Sequence, residues 1–125
     1  MARIRLQIYL GGEEHKIGPG KIRLLEEVAE HGSISGAARS MKMAYRHAWE
    51  MVDDLNDCFD APVLEAAPGG AAGGGAHLTD FGLRLIDRYR RMERATRRAL
   101  RHDLASLDAH LAPAVRRRPA RSSRS

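Results

Sequence analysis

The chain has 125 residues, 43% of them hydrophobic, which suits one domain with a small appendage. Its single cysteine, Cys58, excludes an internal disulfide and makes the reducing cytoplasm the expected location, and the lack of any apolar run of about 18 residues excludes a membrane span. The net charge of +5 resides in five arginines after residue 115, because the rest of the chain is neutral; such a tail suits a polyanionic partner, or it only aids solubility.

An amphipathic strand opens the chain. Residues 3–10, RIRLQIYL, alternate polar and apolar side chains, which predicts a half-buried strand, and residues 13–17 can form a short return strand. A helix is predicted over residues 19–30, because apolar side chains recur there at helical spacing and Gly32 supplies a C-terminal stop. Its apolar stripe comprises Ile22, Leu25, Val28 and Ala29, with Leu24 on the flank.

Two short helices joined by a tight turn are predicted over residues 33–55. Ser33 is a good N-cap for the first helix, which ends near Ser40. The second helix begins at about Ala44, and its expected core positions are Ala48, Trp49, Val52 and Leu55. This is the layout of a helix-turn-helix, in which the start of the second helix meets base edges in the major groove. An ordinary helical hairpin inside a core is the competing interpretation.

The distribution of charge along the second helix favours DNA. Basic side chains lie at or near its start, at Arg39, Lys42 and Arg46, and acidic side chains fill its second half from Glu50 to Asp57. Phosphates attract the first end and repel the second. The helix is therefore expected to enter a groove tip-first.

A glycine-rich hairpin is predicted next. Residues 62–65 and 77–79 can form two strands, and residues 66–76, AAPGGAAGGGA, form the tip between them. A hairpin in this position is a wing, which lies against the phosphate backbone or minor groove. A nucleotide-binding loop is the competing interpretation of these glycines, but neither GxxxxGK[ST] nor a GxGxxG unit is present.

A long helix is predicted over residues 80–111, with Thr79 as its N-cap. A helix of about 30 residues spans about 45 Å, more than so small a body covers, so its apolar stripe needs a partner. A second copy is the simplest partner and gives a two-fold dimer; the alternative is that the helix folds back on its own chain. The side chains expected at this contact are Leu85, Ile86, Tyr89, Met92, Leu100, Leu104 and Leu107.

The chain shows no pattern typical of catalysis or metal binding. Its six histidines are not spaced i,i+4 with one another or with Cys58, and HExxH, CxxC and GxSxG are absent. The acidic cluster at residues 53–57 is interpreted as a solvated helix face. We therefore expect neither an enzyme nor a metal site.

In this order of elements the chain resembles the N-terminal winged-helix domain of the molybdate-responsive transcriptional regulators, the ModE family, and it is similar to LysR-type DNA-binding domains. The matching stretches are GPGKIRLLEEVAEHGSISGAAR, AYRHAW and GGGAHLTDFGLRLI. The resemblance implies a bacterial homodimer that binds an operator and represses or activates genes, often those for molybdate uptake or molybdoenzymes. Full-length members carry C-terminal oxyanion-binding modules, for which this chain has no room, so neither a cofactor nor direct molybdate sensing is expected.

The sequence thus predicts a mainly α protein with a small β-hairpin: a winged helix-turn-helix over residues 1–79, a dimerisation helix over 80–111 and a disordered Arg-rich tail over 112–125. The predicted function is sequence-specific binding of double-stranded DNA in transcriptional control. The alternative is a dimeric protein-interaction module that has kept the fold and lost specific DNA binding. The residues expected to contact DNA are Ser35, Arg39, Lys42, Ala44, Tyr45, Arg46, His47, Gly70, Gly73, Gly74, Gly75 and His77.

Overall fold

The computed structural model describes residues 1–12, 14–66 and 75–116. Within these residues the elements are β1 (Ile8–Leu10), β2 (His15–Ile17), α1 (Pro19–His31), α2 (Ile34–Ser40), α3 (Tyr45–Cys58), β3 (Leu64–Ala66), β4 (Ala76–Leu78), α4 (Asp80–Ala99), α5 (Arg101–Ala109) and α6 (Pro113–Arg116). The strands form two antiparallel hairpins, β1–β2 and β3–β4. The predicted mainly helical winged fold is confirmed. None of the described helices is long and apolar enough to cross a bilayer.

The first hairpin turns at Gly11 and Gly12, whose φ angles of 59° and 107° are easily reached only by glycine. The predicted alternation of exposed and half-buried side chains holds throughout residues 3–10, but only Ile8–Leu10 pairs in a sheet. The preceding segment lies against α4 instead, where the Tyr89 hydroxyl donates a 2.6 Å hydrogen bond to the carbonyl of Leu6. The predicted strand is therefore shorter than its pattern suggests, because a helix rather than a strand covers its first half.

The core is aliphatic and surrounds α1. Leu24, predicted on the flank of this helix, is fully buried, and Ala29, predicted within the stripe, is exposed in the last turn. Gly32 ends α1 with a φ of 73°, as the sequence predicts. The small side chains of α2 and α3 bring these helices close to α1. The core side chains of the three helices are Ile22, Leu24, Leu25, Val28, Ile34, Ala37, Ala38, Ala48, Val52 and Leu55.

The start of α4 is fixed to the segment that leads into β3. The Thr79 side chain accepts a 3.0 Å hydrogen bond from the Gly82 N–H, which confirms the predicted N-cap, and it donates a 2.6 Å bond to the Pro62 carbonyl. A Cβ on Gly82 would lie 2.1 Å from the Val63 carbonyl oxygen. The absence of a side chain at residue 82 therefore allows α4 to pack directly on the backbone of Val63, just before β3.

An ion-pair network holds the middle of α4 against α1. The Arg90 guanidinium contacts both carboxylate oxygens of Glu26 at 2.6 and 3.1 Å, and it lies 2.7 Å from Glu93. These hydrogen bonds outweigh the effect of partial burial and raise the Arg90 pKa above its ordinary value. Bidentate geometry of this kind restrains orientation as well as distance. The bridge from Arg90 to Glu26 therefore restrains α4 against α1, and Glu93 orients the guanidinium from within α4.

The single helix predicted over residues 80–111 is interrupted. It ends at Ala99, Leu100 has φ −104° and ψ 8°, and α5 continues from Arg101 to Ala109. The Ala2 amide donates a hydrogen bond to the Asp108 carboxylate, so α5 is held by the N-terminal segment. Pro113, predicted to end the long helix, instead begins the short α6, and only the first part of the predicted disordered tail is described.

The packing of α4 against the core changes which side chains are available for the predicted dimer contact. Leu85 and Tyr89 are buried in the core of their own chain, so they are not presented to a second copy. Ile86 and Met92 are half-buried, and Leu104 is half-buried on α5. The apolar side chains that remain most exposed along α4 and α5 are Leu83, Leu100 and Leu107.

Candidate nucleic-acid interface

The turn between α2 and α3 has the geometry of a helix-turn-helix. The Ser33 side chain accepts a 2.9 Å hydrogen bond from the Gly36 N–H and so caps α2 as predicted. The chain then reverses through Lys42, which has a φ of 55°, and Met43 N–H bonds back to the Ala38 carbonyl at 3.0 Å. These contacts fix α3 across α2, with both helices resting on α1.

The first turn of α3 projects three polar or aromatic side chains into solvent. Arg46 is 92% exposed, His47 61% and Tyr45 53%. Ala44 precedes the helix without a side-chain cap, so the first N–H groups of α3 have no side-chain acceptor. Free N–H groups at a helix N-terminus suit a phosphate. The structure therefore presents the predicted DNA-contacting end of α3 without obstruction.

Trp49 lies beside this surface and was wrongly predicted to be in the core. It is 38% exposed and makes an edge-to-face contact with Tyr45, with ring centroids 6.3 Å apart. One residue corresponds to about 100° of rotation around a helix, so Trp49 is turned away from the buried neighbour Ala48. The contact between residues i and i+4 holds Tyr45 in place and adds an aromatic side chain to the exposed face of α3.

Glu50 modifies the charge of the same face. Its carboxylate lies 4.0 Å from Arg46 Nε and 3.7 Å from His47 Nδ1. All three side chains are well exposed, so these ion pairs are weak and screened by salt. A phosphate or a base can therefore displace Glu50 from Arg46 at little cost.

The remaining predicted contact residues lie around the tip of α3. Ser35, Arg39 and Lys42 are all exposed. On the wing, Gly75 is half-buried, and His77 is exposed with its ring 3.9 Å from Glu65 of the paired strand. Gly70, Gly73 and Gly74 lie outside the described residues. The wing is anchored to the helix-turn-helix by a 2.9 Å hydrogen bond from Ala76 N–H to the Gly32 carbonyl.

A cluster of polar and thiol side chains lies at the other end of α3, where the sequence gives no sign of it. His15 Nδ1 is 2.8 Å from Asp54 Oδ1, and the Cys58 thiol lies beside both. Burial raises the pKa of the Cys58 thiol, and the Asp54 charge raises it further. Burial also raises the pKa of Asp54, but hydrogen bonds from Lys21 and His15 outweigh it and hold that pKa below its ordinary value. A sequence pattern cannot reveal this cluster, because His15 lies 39 residues before Asp54.

Comparison with known proteins places the helix-turn-helix in a defined group. Residues 20–83 match the profile of the bacterial regulatory helix-turn-helix proteins of the lysR family. This match spans α1, the helix-turn-helix, the wing and the start of α4. It confirms the predicted similarity to LysR-type DNA-binding domains.

The curated relatives agree with the predicted resemblance to ModE. The molybdenum-pterin-binding protein MopA of Rhodobacter capsulatus is 46% identical over 68% of this chain and 32% of its own length. The transcriptional regulator ModE of Yersinia pestis is 38% identical over 75% of this chain and 37% of its own length. The DNA-binding transcriptional dual regulator ModE of Escherichia coli K12 is 41% identical over 57% of this chain and 27% of its own length. The chain thus spans about a third of each relative.

Proposed function

Because the chain belongs to the lysR family of bacterial regulatory helix-turn-helix proteins, we propose that it recognises a specific operator in double-stranded DNA as a homodimer. The observation that carries this proposal is the exposed first turn of α3. Tyr45, Arg46 and His47 project from it into solvent, while the opposite side of the helix is buried against α1 and α2. Such a protein works in the cytoplasm, where the bacterial chromosome lies.

Each exposed side chain around α3 has a distinct role in this proposal. Arg46 reads a base edge, since a guanidinium can donate two hydrogen bonds to guanine O6 and N7, and Tyr45 and His47 contact neighbouring bases. Arg39 and Lys42 neutralise phosphates on either side of the groove. The acidic second half of α3 stays outside the groove, because phosphates repel it.

The homodimer is proposed from the apolar side chains left exposed beyond the core. Leu83 is 52% exposed, Leu100 38% and Leu107 60%. Covering such side chains with a second copy removes apolar area from water. A two-fold pair would also present two α3 helices to two half-sites of one operator.

Fluorescence anisotropy tests the proposal directly. The purified chain is titrated into a labelled duplex from its own upstream region and into a scrambled duplex, across a salt series. A specific regulator binds the first duplex much more tightly, and its affinity falls steeply with salt. Equal weak binding to both duplexes would contradict sequence-specific recognition. Binding to neither would favour the dimeric protein-interaction module, an interpretation supported by the proximity of Glu50 to Arg46 and His47.

The Arg46→Ala variant tests the role assigned to the exposed tip of α3. We expect it to lose about 1–3 kcal/mol of discrimination at one base pair of the operator, because the guanidinium contact is removed. Anisotropy against a set of single-base-pair operator variants measures this loss. Arg94→Ala, which removes an exposed arginine from α4, is the matched control. Unchanged discrimination in Arg46→Ala would remove this residue from base readout.

The anisotropy titration also tests whether molybdate acts as an effector. Molybdate added to the complex tests the expectation that the residues of this chain do not sense the oxyanion directly. A change in operator affinity on addition of molybdate would contradict that expectation.

A further inference from the structure

We propose that His15, Asp54 and Cys58 form a binding site for a zinc-class divalent metal ion, which joins the first hairpin to the C-terminal half of α3. One potential ligand atom from each residue lies within 4.8 Å of the other two. Asp54 and Cys58 are one helical turn apart on α3 and therefore share a face, while His15 reaches them from β2. In the described part of the chain no other group of three such side chains is so close.

The ligand set points to the class of metal. An imidazole nitrogen, a thiolate sulfur and a carboxylate oxygen are the donors that Zn²⁺ takes, whereas Mg²⁺ and Ca²⁺ prefer oxygen throughout. Tetrahedral coordination at Zn–N, Zn–O and Zn–S lengths of about 2.0–2.3 Å places ligand atoms about 3.3–3.6 Å apart. The 2.8 Å separation of His15 Nδ1 and Asp54 Oδ1 has to open by about 0.5 Å to reach that spacing, and the distances to the Cys58 sulfur, at most 4.8 Å, have to close by up to about 1.2 Å. All three are half-buried, so the ion can reach them from solvent.

Lys21 does not occupy the coordinating position. Its ammonium group bonds to Asp54 Oδ2 and, at 2.8 Å, to the Lys16 carbonyl, while Asp54 Oδ1 faces His15. The lysine therefore orients the carboxylate through its far oxygen, and a bound ion replaces the proton that His15 Nδ1 and Asp54 Oδ1 now share. A group that hydrogen-bonds to the far oxygen of a ligating carboxylate is a usual second layer of a metal site. Three protein ligands leave the fourth coordination position for water.

Cobalt(II) is the probe for this site. The reduced, metal-free full chain is titrated with Co²⁺, and absorbance is read in the near-ultraviolet, where thiolate-to-cobalt charge transfer appears, and in the visible, where tetrahedral Co²⁺ absorbs strongly. One Co²⁺ per chain, displaced by Zn²⁺ with loss of both signals, is expected. Absence of the thiolate band, or binding without displacement by Zn²⁺, would overturn the proposal.

Variants distinguish this site from adventitious binding by other histidines. Cys58→Ser and His15→Gln should each abolish the thiolate band or weaken Co²⁺ binding by at least about 100-fold. His77→Gln and His31→Gln remove exposed imidazoles elsewhere and should bind as the unmodified chain does. If Cys58→Ser and His15→Gln both retain full affinity, the site is refuted. Circular dichroism of each variant excludes loss of fold as the cause of weaker binding.

Thermal unfolding gives an independent measurement. An ion that binds only the folded chain raises the melting temperature as its concentration exceeds the dissociation constant. Zn²⁺ should therefore raise the melting temperature of the unmodified chain and of His77→Gln, and leave that of Cys58→Ser unchanged. An equal rise in Cys58→Ser would place the ion elsewhere.

Discussion

Lys42 holds the turn of the helix-turn-helix in a conformation that L-residues avoid. Its φ of 55° is the one positive value among the described residues other than glycine. This left-handed conformation costs about 1–2 kcal/mol for a residue with a Cβ. A glycine would remove the strain and would also remove an exposed positive charge next to α3. The position therefore combines a cost in stability with a proposed phosphate contact.

Replacing Lys42 by glycine should separate these two effects. We expect Lys42→Gly to raise the free energy of unfolding by about 0.5–1 kcal/mol, since relief of strain exceeds the extra entropy of the unfolded chain. DNA affinity should fall alike for all sequences, with a salt slope shallower by about 1. Urea denaturation and anisotropy measure the two quantities. Lys42→Ala, which removes the charge and keeps the strain, is the control. An unchanged salt slope in both variants would mean that Lys42 does not contact DNA.

Tyr89 joins the N-terminal segment to the core through one hydroxyl group. The ring is fully buried, and the hydroxyl donates to the Leu6 carbonyl at 2.6 Å. Burial of the hydroxyl raises the Tyr89 pKa, and the nearby charge of Glu93 raises it further. Between the pKa of the unfolded chain and the higher pKa of the folded one, only the unfolded chain loses this proton. The stability that Tyr89 contributes is thus complete below about pH 10 and is lost as the pH rises further.

Tyr89→Phe tests both parts of this statement. Loss of the hydrogen bond should lower the free energy of unfolding by about 1 kcal/mol at pH 8. The difference between the two proteins should shrink as the pH rises above about 10, because the variant has no phenol to ionise at this position. Urea denaturation at pH 8 and at about pH 11 measures the difference in free energy of unfolding between the two proteins. Tyr9→Phe removes an exposed hydroxyl and should show neither effect. If the two proteins differed in free energy of unfolding by the same amount at every pH, the raised pKa of Tyr89 in the folded chain would be contradicted.

The residues that the sequence misplaces are those whose surroundings come from distant parts of the chain. Ser33, Thr79 and Gly32 act within a few residues of themselves, and all three roles were predicted correctly. Trp49 was assigned to the core by its apolar character, yet α1 and α2 cover only the side of α3 that carries Ala48. Helical spacing gives a stripe, but the width of the covered arc depends on the packed neighbours.

At the scale of elements, the close approach of α4 to the segment before β3 determines how this helix is attached to the core. Gly82 places its α-carbon against the backbone of Val63, whose carbonyl also accepts a 3.1 Å hydrogen bond from Thr79 N–H. Both partners in this contact are backbone atoms, so no flexible side chain can move aside. A methyl group at residue 82 must therefore push α4 away from Val63.

Gly82→Ala should lower the free energy of unfolding by about 1–3 kcal/mol despite the better helix propensity of alanine. The added methyl group would overpack the contact between residue 82 and the Val63 backbone. Urea denaturation measures the resulting change in the free energy of unfolding. Arg84→Ala, an exposed change in the same helix, should remain within about 0.5 kcal/mol of the unmodified chain. Equal stability of Gly82→Ala and the unmodified chain would show that α4 can shift without cost.

The break between α4 and α5 shows where local sequence is insufficient. The segment around Leu100 contains no glycine or proline, and its apolar stripe continues at helical spacing, so one helix was predicted. Leu100 nonetheless leaves the helical conformation, and the Asp108 carboxylate beyond it bonds to Ala2, 106 residues away. A contact between residues 106 positions apart cannot be read from the local sequence around either of them.

For the whole molecule, the proposed dimer depends on the exposed part of α5. Leu107→Glu places a charge where an apolar contact between copies is proposed, and we expect it to shift the chain from dimer to monomer. Multi-angle light scattering over a range of concentrations measures this shift. Ser106→Glu adds the same charge at an adjacent exposed position and should leave the dimer intact. A monomeric unmodified chain, or a dimeric Leu107→Glu variant, would contradict the role of this residue.

In the proposed dimer, the Arg90 bridge influences the distance between the two DNA-binding helices. In a dimer joined through α4 and α5, the distance between the two α3 helices depends on the angle at which each α4 leaves its helix-turn-helix. Arg90 pairs with Glu26 of α1 and with Glu93 of its own helix, so this bridge restrains that angle. Successive major grooves on one side of DNA recur about every 34 Å, so a small change of angle is magnified into a mismatch of phase. In the proposed dimer, we therefore expect the number of base pairs between the two half-sites to depend on one arginine and two carboxylates that lie away from the exposed tip of α3.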